Sequence, residues 1–334
     1  MSPLLRFPCL QADLPILRLA HMTKIMPDTP SVPRIALVAY QGVQMSAVLG
    51  LGDIFQVANR FAQELGVTEI QHIVLRPPFQ FDTTQYHSVV LPPNLSGARG
   101  QDDSALHDWI AAQHAAGAML CSACAGAFWL GHAGLLDGRP ATTHWALEEE
   151  FRTAFPASQL QPEHLLIDDH DLVTTGGMMA WVDLGLALVR RWQGPDIVAR
   201  TCRQMLIDPH GREQSNYRIF RPKLDHGDDA IRSLQFWIAG HIADDLSVPV
   251  LAGYAAISAR SLQRRFSDAT GLPISRYVQE IRIEKARGLL ERTSMPISEV
   301  CWAVGYTDTA AFSRLFKSLC GTNAGEYRRR FSVR

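Results

Sequence analysis

The sequence predicts a doubly wound α/β domain followed by an all-α domain that contains two helix-turn-helix units. Two observations carry this prediction. Short apolar strands alternate with amphipathic helices up to about residue 207, which is the pattern of a parallel sheet covered by helices on both faces. From residue 229 to residue 334, one helical unit occurs twice. Residues 1–32 contain prolines and no periodic pattern, so we expect a flexible extension there.

The first predicted domain covers residues 33–207. Its expected elements, in order, are a strand at 34–40, a helix at 47–65, strands at 70–75 and 88–91, a helix at 109–116, a strand at 118–121, and helices at 126–133, 181–192 and 196–206. This alternation is typical of a flavodoxin-like α/β fold. The polar, turn-rich segment 208–228 is the predicted linker.

A turn rich in small residues lies at the centre of the first domain. Cys124 stands between Ala123 and Ala125 where the strand meets the helix, and a sharp strand-to-helix elbow requires such small neighbours. We expect the helix N-terminus to lower the pKa of the thiol. His144 is a candidate base close by in sequence. A plain buried residue at position 124 and a redox pair with Cys121 are the alternatives.

The segment 297–331 predicts a helix, a turn and a second helix. Gly305 tolerates positive φ after the first helix, and Asp308 can cap the second. Phe312 and Phe316 share one face of the second helix, and the opposite face is polar and basic, with Thr309, Ser313, Arg314 and Lys317. This is the form of a helix-turn-helix whose second helix enters a DNA major groove. A helical hairpin with a solvated face is the alternative for this segment alone.

An internal repeat with a spacing of 50 residues favours the helix-turn-helix. It pairs Ser258 with Asp308, Leu262 with Phe312, Arg264 with Arg314, Phe266 with Phe316, Gly271 with Gly321 and Tyr277 with Tyr327. Between the copies, residues 276–292 predict one connecting helix of about 25 Å, the same order as the ~34 Å between successive major grooves. We therefore expect the two units to enter adjacent grooves.

Charge and cysteine usage agree with this division. Residues 229–334 contain 15 Lys and Arg against 10 Asp and Glu, a balance of +5, while the rest has 17 against 23, or −6, which together give the net charge of −1. The C-terminal domain is thus the basic one. The six cysteines form no paired framework, which indicates reduced thiols, and no apolar run reaches about 18 residues. We expect a cytoplasmic protein with no membrane segment.

The C-terminal residues resemble the AraC family of bacterial transcription regulators, most specifically in the run from Val300 to Lys317. The resemblance implies that the recognition helices read DNA through Arg260, Gln263 and Arg264 in the first unit and Thr309, Ala310 and Arg314 in the second. Ala310 can offer only an apolar contact, for instance to a thymine methyl. Lys317 lies on the same basic face and completes the expected DNA-binding set.

Residues 34–191 resemble the PfpI-like branch of the class I glutamine amidotransferase fold, in the form fused to an AraC-type tail in GlxA-like regulators. The matching segments are 36–43, 50–55, the Cys124 elbow, 134–138, 141–145 and 174–177. In enzymes of this fold the elbow cysteine is the nucleophile, but Ala47 stands where related isocyanide hydratases carry an acid. The resemblance implies no catalytic residue, with Cys124 and His144 as vestigial candidates, and a ligand pocket lined by Cys124, Ala125, His144 and Trp145.

The function expected from these features is that of a transcription regulator. It would bind double-stranded DNA in a sequence-specific manner, sense a small-molecule effector of unknown identity, form a homodimer through the α/β domain and act on RNA polymerase. No metal, cofactor or membrane is expected. The first alternative is a cysteine-dependent hydrolase or hydratase with a DNA-binding tail. The second is an architectural DNA binder whose first domain only dimerises.

Overall fold

The computed structural model of the protein describes residues 32–81, 83–98, 103–208 and 213–333. The predicted extension lies outside the described residues except for Val32. Within the described ranges, every helix is too short or too polar to span a lipid bilayer.

The described residues of the first domain form eight strands: β1 (Arg34–Val38), β2 (Gln71–Leu75), β3 (Ser88–Leu91), β4 (Met119–Ala123), β5 (Pro140–Ala141), β6 (Gln159–Leu160), β7 (Leu166–Asp169) and β8 (Leu172–Thr175). Six of them form one sheet in the order β2-β1-β3-β4-β8-β7, in which only β7 runs antiparallel to its neighbour. Every residue of β3 and β4 is buried, as expected for central strands of a parallel sheet covered on both faces.

In the part of this domain that the structure describes, six α-helices accompany these strands: α1 (Met45–Leu65), α2 (Ser104–Ala115), α3 (Ala127–His132), α4 (Glu148–Ala154), α5 (Trp181–Gln193) and α6 (Pro195–Met205). Helices α1, α5 and α6 contact one another, whereas α2 and α3 contact each other and β4. The doubly wound α/β prediction is confirmed. Helix α2 begins earlier than predicted because the Asp103 side chain accepts a hydrogen bond from the Leu106 amide at 3.2 Å and caps the helix there.

The second domain is all α, as predicted. Its helices are α7 (Asp229–Gly240), α8 (Val248–Tyr254), α9 (Ala259–Thr270), α10 (Ile274–Arg292), α11 (Ile297–Ala303), α12 (Thr309–Cys320) and α13 (Ala324–Phe331). Two separate hydrophobic cores share the long helix α10. Its first half contributes Tyr277 to the core around Phe266, and its second half contributes Leu290 to the core around Phe316.

The internal repeat predicted from the sequence is present in three dimensions. Ser258 caps α9 and Asp308 caps α12 through side-chain hydrogen bonds to backbone amides of 3.1 and 2.8 Å. Gly271 and Gly321, at the ends of the same helices, have φ of 76° and 71°. In both copies the tyrosine packs edge-on against the repeated phenylalanine, Tyr277 against Phe266 at 5.0 Å and Tyr327 against Phe316 at 5.5 Å. The two copies are therefore one structural unit used twice.

Candidate functional site

The elbow predicted at Cys124 is confirmed by its backbone. Cys124 directly follows β4 and has φ of 54°, a left-handed conformation that side chains other than glycine rarely adopt. Close packing explains the small neighbours: Ala125 is fully buried, and a Cβ on Gly126 would lie 2.1 Å from the carbonyl oxygen of Leu91. The chain can turn here only because the residues next to Cys124 are as small as alanine and glycine.

The environment of the Cys124 thiol contradicts the expected lowering of its pKa. The side chain is only 4% exposed. Burial raises the pKa of the thiol to about 11, and a hydrogen bond with the Ala125 backbone offsets this only in part. The desolvation of a thiolate here outweighs stabilisation by the adjoining helical amides. Cys124 is therefore protonated at neutral pH.

The loop that carries His144 packs against the elbow through Thr143, whose hydroxyl donates a 2.8 Å hydrogen bond to the Cys124 carbonyl oxygen. His144 Nδ1 accepts a 3.0 Å hydrogen bond from the Ala146 amide. The neutral imidazole therefore carries its proton on Nε2 and has no free lone pair to act as a base. Burial lowers the pKa of His144, which favours this neutral form. No hydrogen bond joins His144 to Cys124 among the described residues.

The predicted ligand-binding residues differ in accessibility. Cys124 and Ala125 are closed off, whereas His144 and Trp145 are half-buried. Trp145 lines a cleft of about 710 Å³ between α4, the segment 218–223 and the start of α10. Charged side chains of both signs surround this cleft, among them Glu148, Arg152, Arg218, Arg221 and Lys223. The part of the chain that the structure describes contains no cluster of three His, Cys, Asp or Glu residues placed to share a metal ion.

Sequence analysis missed Gln214, which lies in the predicted polar linker but is only 2% exposed. Its side chain inserts between the loop that carries His144 and the loop after β8, where a Cβ on Gly176 would lie 1.8 Å from Gln214 Nε2. A single glutamine in a polar run has no periodic signal, so the sequence gives no indication of its burial.

The predicted DNA-binding residues form two exposed faces. All seven are exposed: Arg260, Gln263 and Arg264 on α9, and Thr309, Ala310, Arg314 and Lys317 on α12. Among the described residues, none of their side chains makes a hydrogen bond or an ion pair. In contrast, the neighbouring Arg265 is paired with Asp228 at 2.8 Å. The opposite faces of α9 and α12 are fully buried, through Phe266 and Phe316. Each helix therefore offers a polar face with no internal partner.

Comparisons with known proteins agree with this architecture. Residues 65–191 match the DJ-1/PfpI family, and residues 251–330 match a family described as Helix-turn-helix domain. The HTH-type transcriptional regulator GlxA of Rhizobium meliloti is 30% identical over 233 residues, which cover 69% of this chain and 71% of GlxA.

Two regulators of Pseudomonas aeruginosa are also similar. The HTH-type transcriptional regulator GbdR is 28% identical over 214 residues, 64% of this chain and 58% of GbdR. The HTH-type transcriptional regulator ArgR is 27% identical over 213 residues, 64% of each chain. The match thus spans less than two thirds of the length of these two relatives. From the extent of the match to GlxA, the chain belongs to the AraC family of transcriptional regulators, in the GlxA-like group whose helix-turn-helix domain follows a DJ-1/PfpI domain.

Proposed function

We propose that the protein is a sequence-specific DNA-binding transcription regulator whose α/β domain senses a small-molecule effector, dimerises, or does both. One observation carries this proposal. Helices α9 and α12 present matched polar faces, with Arg264 and Arg314 at equivalent positions. No described residue forms a hydrogen bond or an ion pair with either arginine side chain. Arginine that is free to form two parallel hydrogen bonds is the commonest reader of guanine in the major groove.

The spacing of the two units supports simultaneous contact with DNA. Helix α10 has 19 residues and is therefore about 28 Å long. Successive major grooves on one face of DNA are ~34 Å apart. In this arrangement Arg260, Gln263 and Arg264 enter one groove and Thr309, Ala310 and Arg314 the next, while Lys317 contacts the phosphate backbone.

The proposed effector site is the region around Cys124, Ala125, His144 and Trp145. Trp145 supports this location because it lines the cleft and lies 6.0 Å from the Arg221 guanidinium. The cleft lies between the α/β domain and the DNA-binding domain, so a ligand there would contact both.

An exposed apolar patch supports the proposed homodimer. Met45 and Leu49 lie one turn apart on α1, and the Met179 sulfur lies 4.0 Å from the Gln44 side chain just before α1; these three residues and Met178 are all more than a third exposed. Apolar residues grouped on a surface commonly mark a protein interface. RNA polymerase is proposed as the further partner, since a regulator bound beside a promoter acts on it.

We propose that the protein is not an enzyme. The Cys124 thiol is protonated at neutral pH, His144 has no free lone pair to accept its proton, and Ala47 is fully buried and can neither donate nor accept one. Nucleophilic catalysis requires an activated nucleophile with a base in reach. The hydrolase or hydratase alternative is therefore not favoured.

Binding of the full chain to an operator selected from random DNA tests this function. Arg264→Ala and Arg314→Ala should each weaken specific binding by about 1 to 3 kcal/mol, or about 5- to 150-fold in Kd. Arg265→Ala is the matched control on the same helix, because its side chain is already paired with Asp228, and it should bind within about twofold of the parent. If the chain selects no sequence, or if both variants bind as tightly as the parent, the proposed function is wrong.

A further inference from the structure

The side chain of Gln214 is held like a bound ligand. Its Nε2 lies within hydrogen-bond distance of three acceptors, which share its two hydrogens: the Thr142 hydroxyl at 3.1 Å, the Thr143 carbonyl at 2.9 Å and the His164 carbonyl at 3.0 Å. Its Oε1 accepts a 3.1 Å hydrogen bond from the Trp145 amide. We call these four groups the amide cradle. Every polar atom of the carboxamide is paired within it.

The amide cradle is specific for a primary carboxamide on chemical grounds. It offers three acceptors on one side and one backbone donor on the other. A carboxylate would bring its negative charge against the acceptors, and an ammonium group would leave the Trp145 amide without a partner; each mismatch leaves a buried polar group unsatisfied. A primary carboxamide, with an NH₂ group and a carbonyl oxygen, satisfies both sides.

The amide cradle is in contact with the proposed effector site. Thr143, which supplies one acceptor, also holds the Cys124 carbonyl through its hydroxyl. Trp145, which supplies the donor, lines the interdomain cleft. Trp145 therefore borders both the cleft and the position that the Gln214 carboxamide occupies.

The residues that follow Gln214 hold the second helix-turn-helix unit. The Ser215 carbonyl accepts a 2.9 Å hydrogen bond from Arg287 of α10. Ser215 also packs against the end of α12, where a Cβ on Gly321 would lie 2.3 Å from its hydroxyl oxygen. The Tyr217 hydroxyl accepts a 2.8 Å hydrogen bond from Arg330 of α13. Occupancy of the amide cradle by Gln214 thus fixes the α/β domain to a recognition helix.

We propose that the amide cradle is a binding subsite for primary carboxamides, that Gln214 is its internal occupant, and that an effector with a primary carboxamide replaces Gln214 and releases residues 214–217 from the α/β domain. This inference rests on the proposed function and adds to it the chemical class of the effector. The internal glutamine keeps the subsite closed until such a ligand competes with it.

Chemical complementation of the full chain tests the subsite. Gln214→Ala empties the amide cradle, and propionamide titrated to about 0.3 M should fill it. At about ten times its Kd, propionamide should raise the Tm of this variant by about 2 °C, with a much smaller rise for the parent. Propionate and N,N-dimethylpropionamide cannot satisfy both sides of the amide cradle and should not raise the Tm of Gln214→Ala. Equal responses to the three compounds would overturn the subsite.

Two further variants separate the subsite from general destabilisation. Gln113→Ala is the matched control, since Gln113 is also buried with both ends of its carboxamide bonded to backbone, at 2.7 and 3.1 Å, but inside the α/β domain. Gly176→Ala should expel Gln214 and fill the space. Gln214→Ala and Gly176→Ala should shift the Kd for operator in the same direction, by about fivefold or more, and propionamide should shift the Kd of the parent in that direction but leave the Kd of both variants unchanged. An equal shift in Gln113→Ala would contradict the coupling.

A measurement on the unmodified protein covers the case in which Gln214→Ala does not fold. Propionamide should accelerate amide hydrogen exchange in residues 213–217 of the parent protein, whereas propionate should not. If propionamide leaves amide hydrogen exchange in this segment unchanged, the proposed replacement of Gln214 by the ligand is wrong. None of the stability and exchange readouts involves DNA, so failure of the amide cradle and failure of the proposed function are distinguishable.

Discussion

The buried thiol of Cys124 gives a prediction that can be worked out in numbers. Burial raises its pKa from 9.0 to about 11. At pH 8 the thiolate fraction is then about 0.1%, compared with about 10% for a thiol of ordinary pKa. Alkylation by iodoacetamide, which requires the thiolate, should therefore be about 100-fold slower in the native protein than in urea, and the 4% exposure of Cys124 should slow it further.

The assay is alkylation at several pH values, with each cysteine followed by peptide mass spectrometry. The rate at Cys124 should rise about tenfold per pH unit from 7 to 10 in the native protein and should level off near pH 9 in the unfolded protein. A native rate at pH 7 that equals or exceeds the unfolded rate would refute the reasoning. Such a rate would mean that the thiol is activated and would revive the enzyme alternative.

The same pKa shift predicts a dependence of stability on pH. Because the folded pKa lies above the unfolded one, the unfolded chain loses its proton first as the pH rises. The stabilisation is complete below about pH 9 and is lost progressively toward about pH 11. Urea titrations across this window should therefore show that the parent loses up to about 3 kcal/mol more stability than Cys124→Ala does.

The remaining predictions concern packing, a buried charge and the effector. Gly126→Ala should lower the free energy of unfolding by about 3 kcal/mol in urea titrations, because its Cβ would lie 2.1 Å from a backbone oxygen. Gly240→Ala is the control and should not destabilise the protein, because its Cβ meets open space. Arg287→Ala should lower the free energy of unfolding by about 3 kcal/mol, since Arg287 is buried and donates a 3.2 Å hydrogen bond to Cys320 Sγ. Arg276→Ala, at a half-exposed site on the same helix, should lower the free energy of unfolding by less than about 1 kcal/mol in the same titration. Cys124→Ser should leave folding and basal operator binding intact but change the reporter response to effector. The purified protein should show no turnover of isocyanides, small amides or peptides; Cys124-dependent product formation would contradict the non-enzyme proposal.

The sequence predicted those features that depend on local chemistry or on a repeated pattern. The elbow at Cys124 follows from its small neighbours, and the caps Ser258 and Asp308 follow from residue type and position. The repeat was visible because buried phenylalanines and terminal glycines recur at one spacing. These features can be predicted without knowledge of tertiary contacts.

Features set by tertiary packing were missed or predicted wrongly. The pKa of Cys124 rises because the whole domain excludes water from the thiol, and no local pattern records this. Leu49 is apolar but is 56% exposed, because it lies on the solvent side of α1 while its neighbours Val48 and Leu51 are buried. Gln214 lies in a polar segment, and only its contacts across two domains reveal its role.

Footprinting on a selected operator tests the paired use of the two helix-turn-helix units most directly. One protomer should protect guanines in two successive major grooves, within an asymmetric half-site of about 20 base pairs. Arg264→Ala should lose protection in one groove and Arg314→Ala in the other, because the two arginines lie on different recognition helices. Protection of a single groove per protomer, or loss of the same guanines in both variants, would contradict the account.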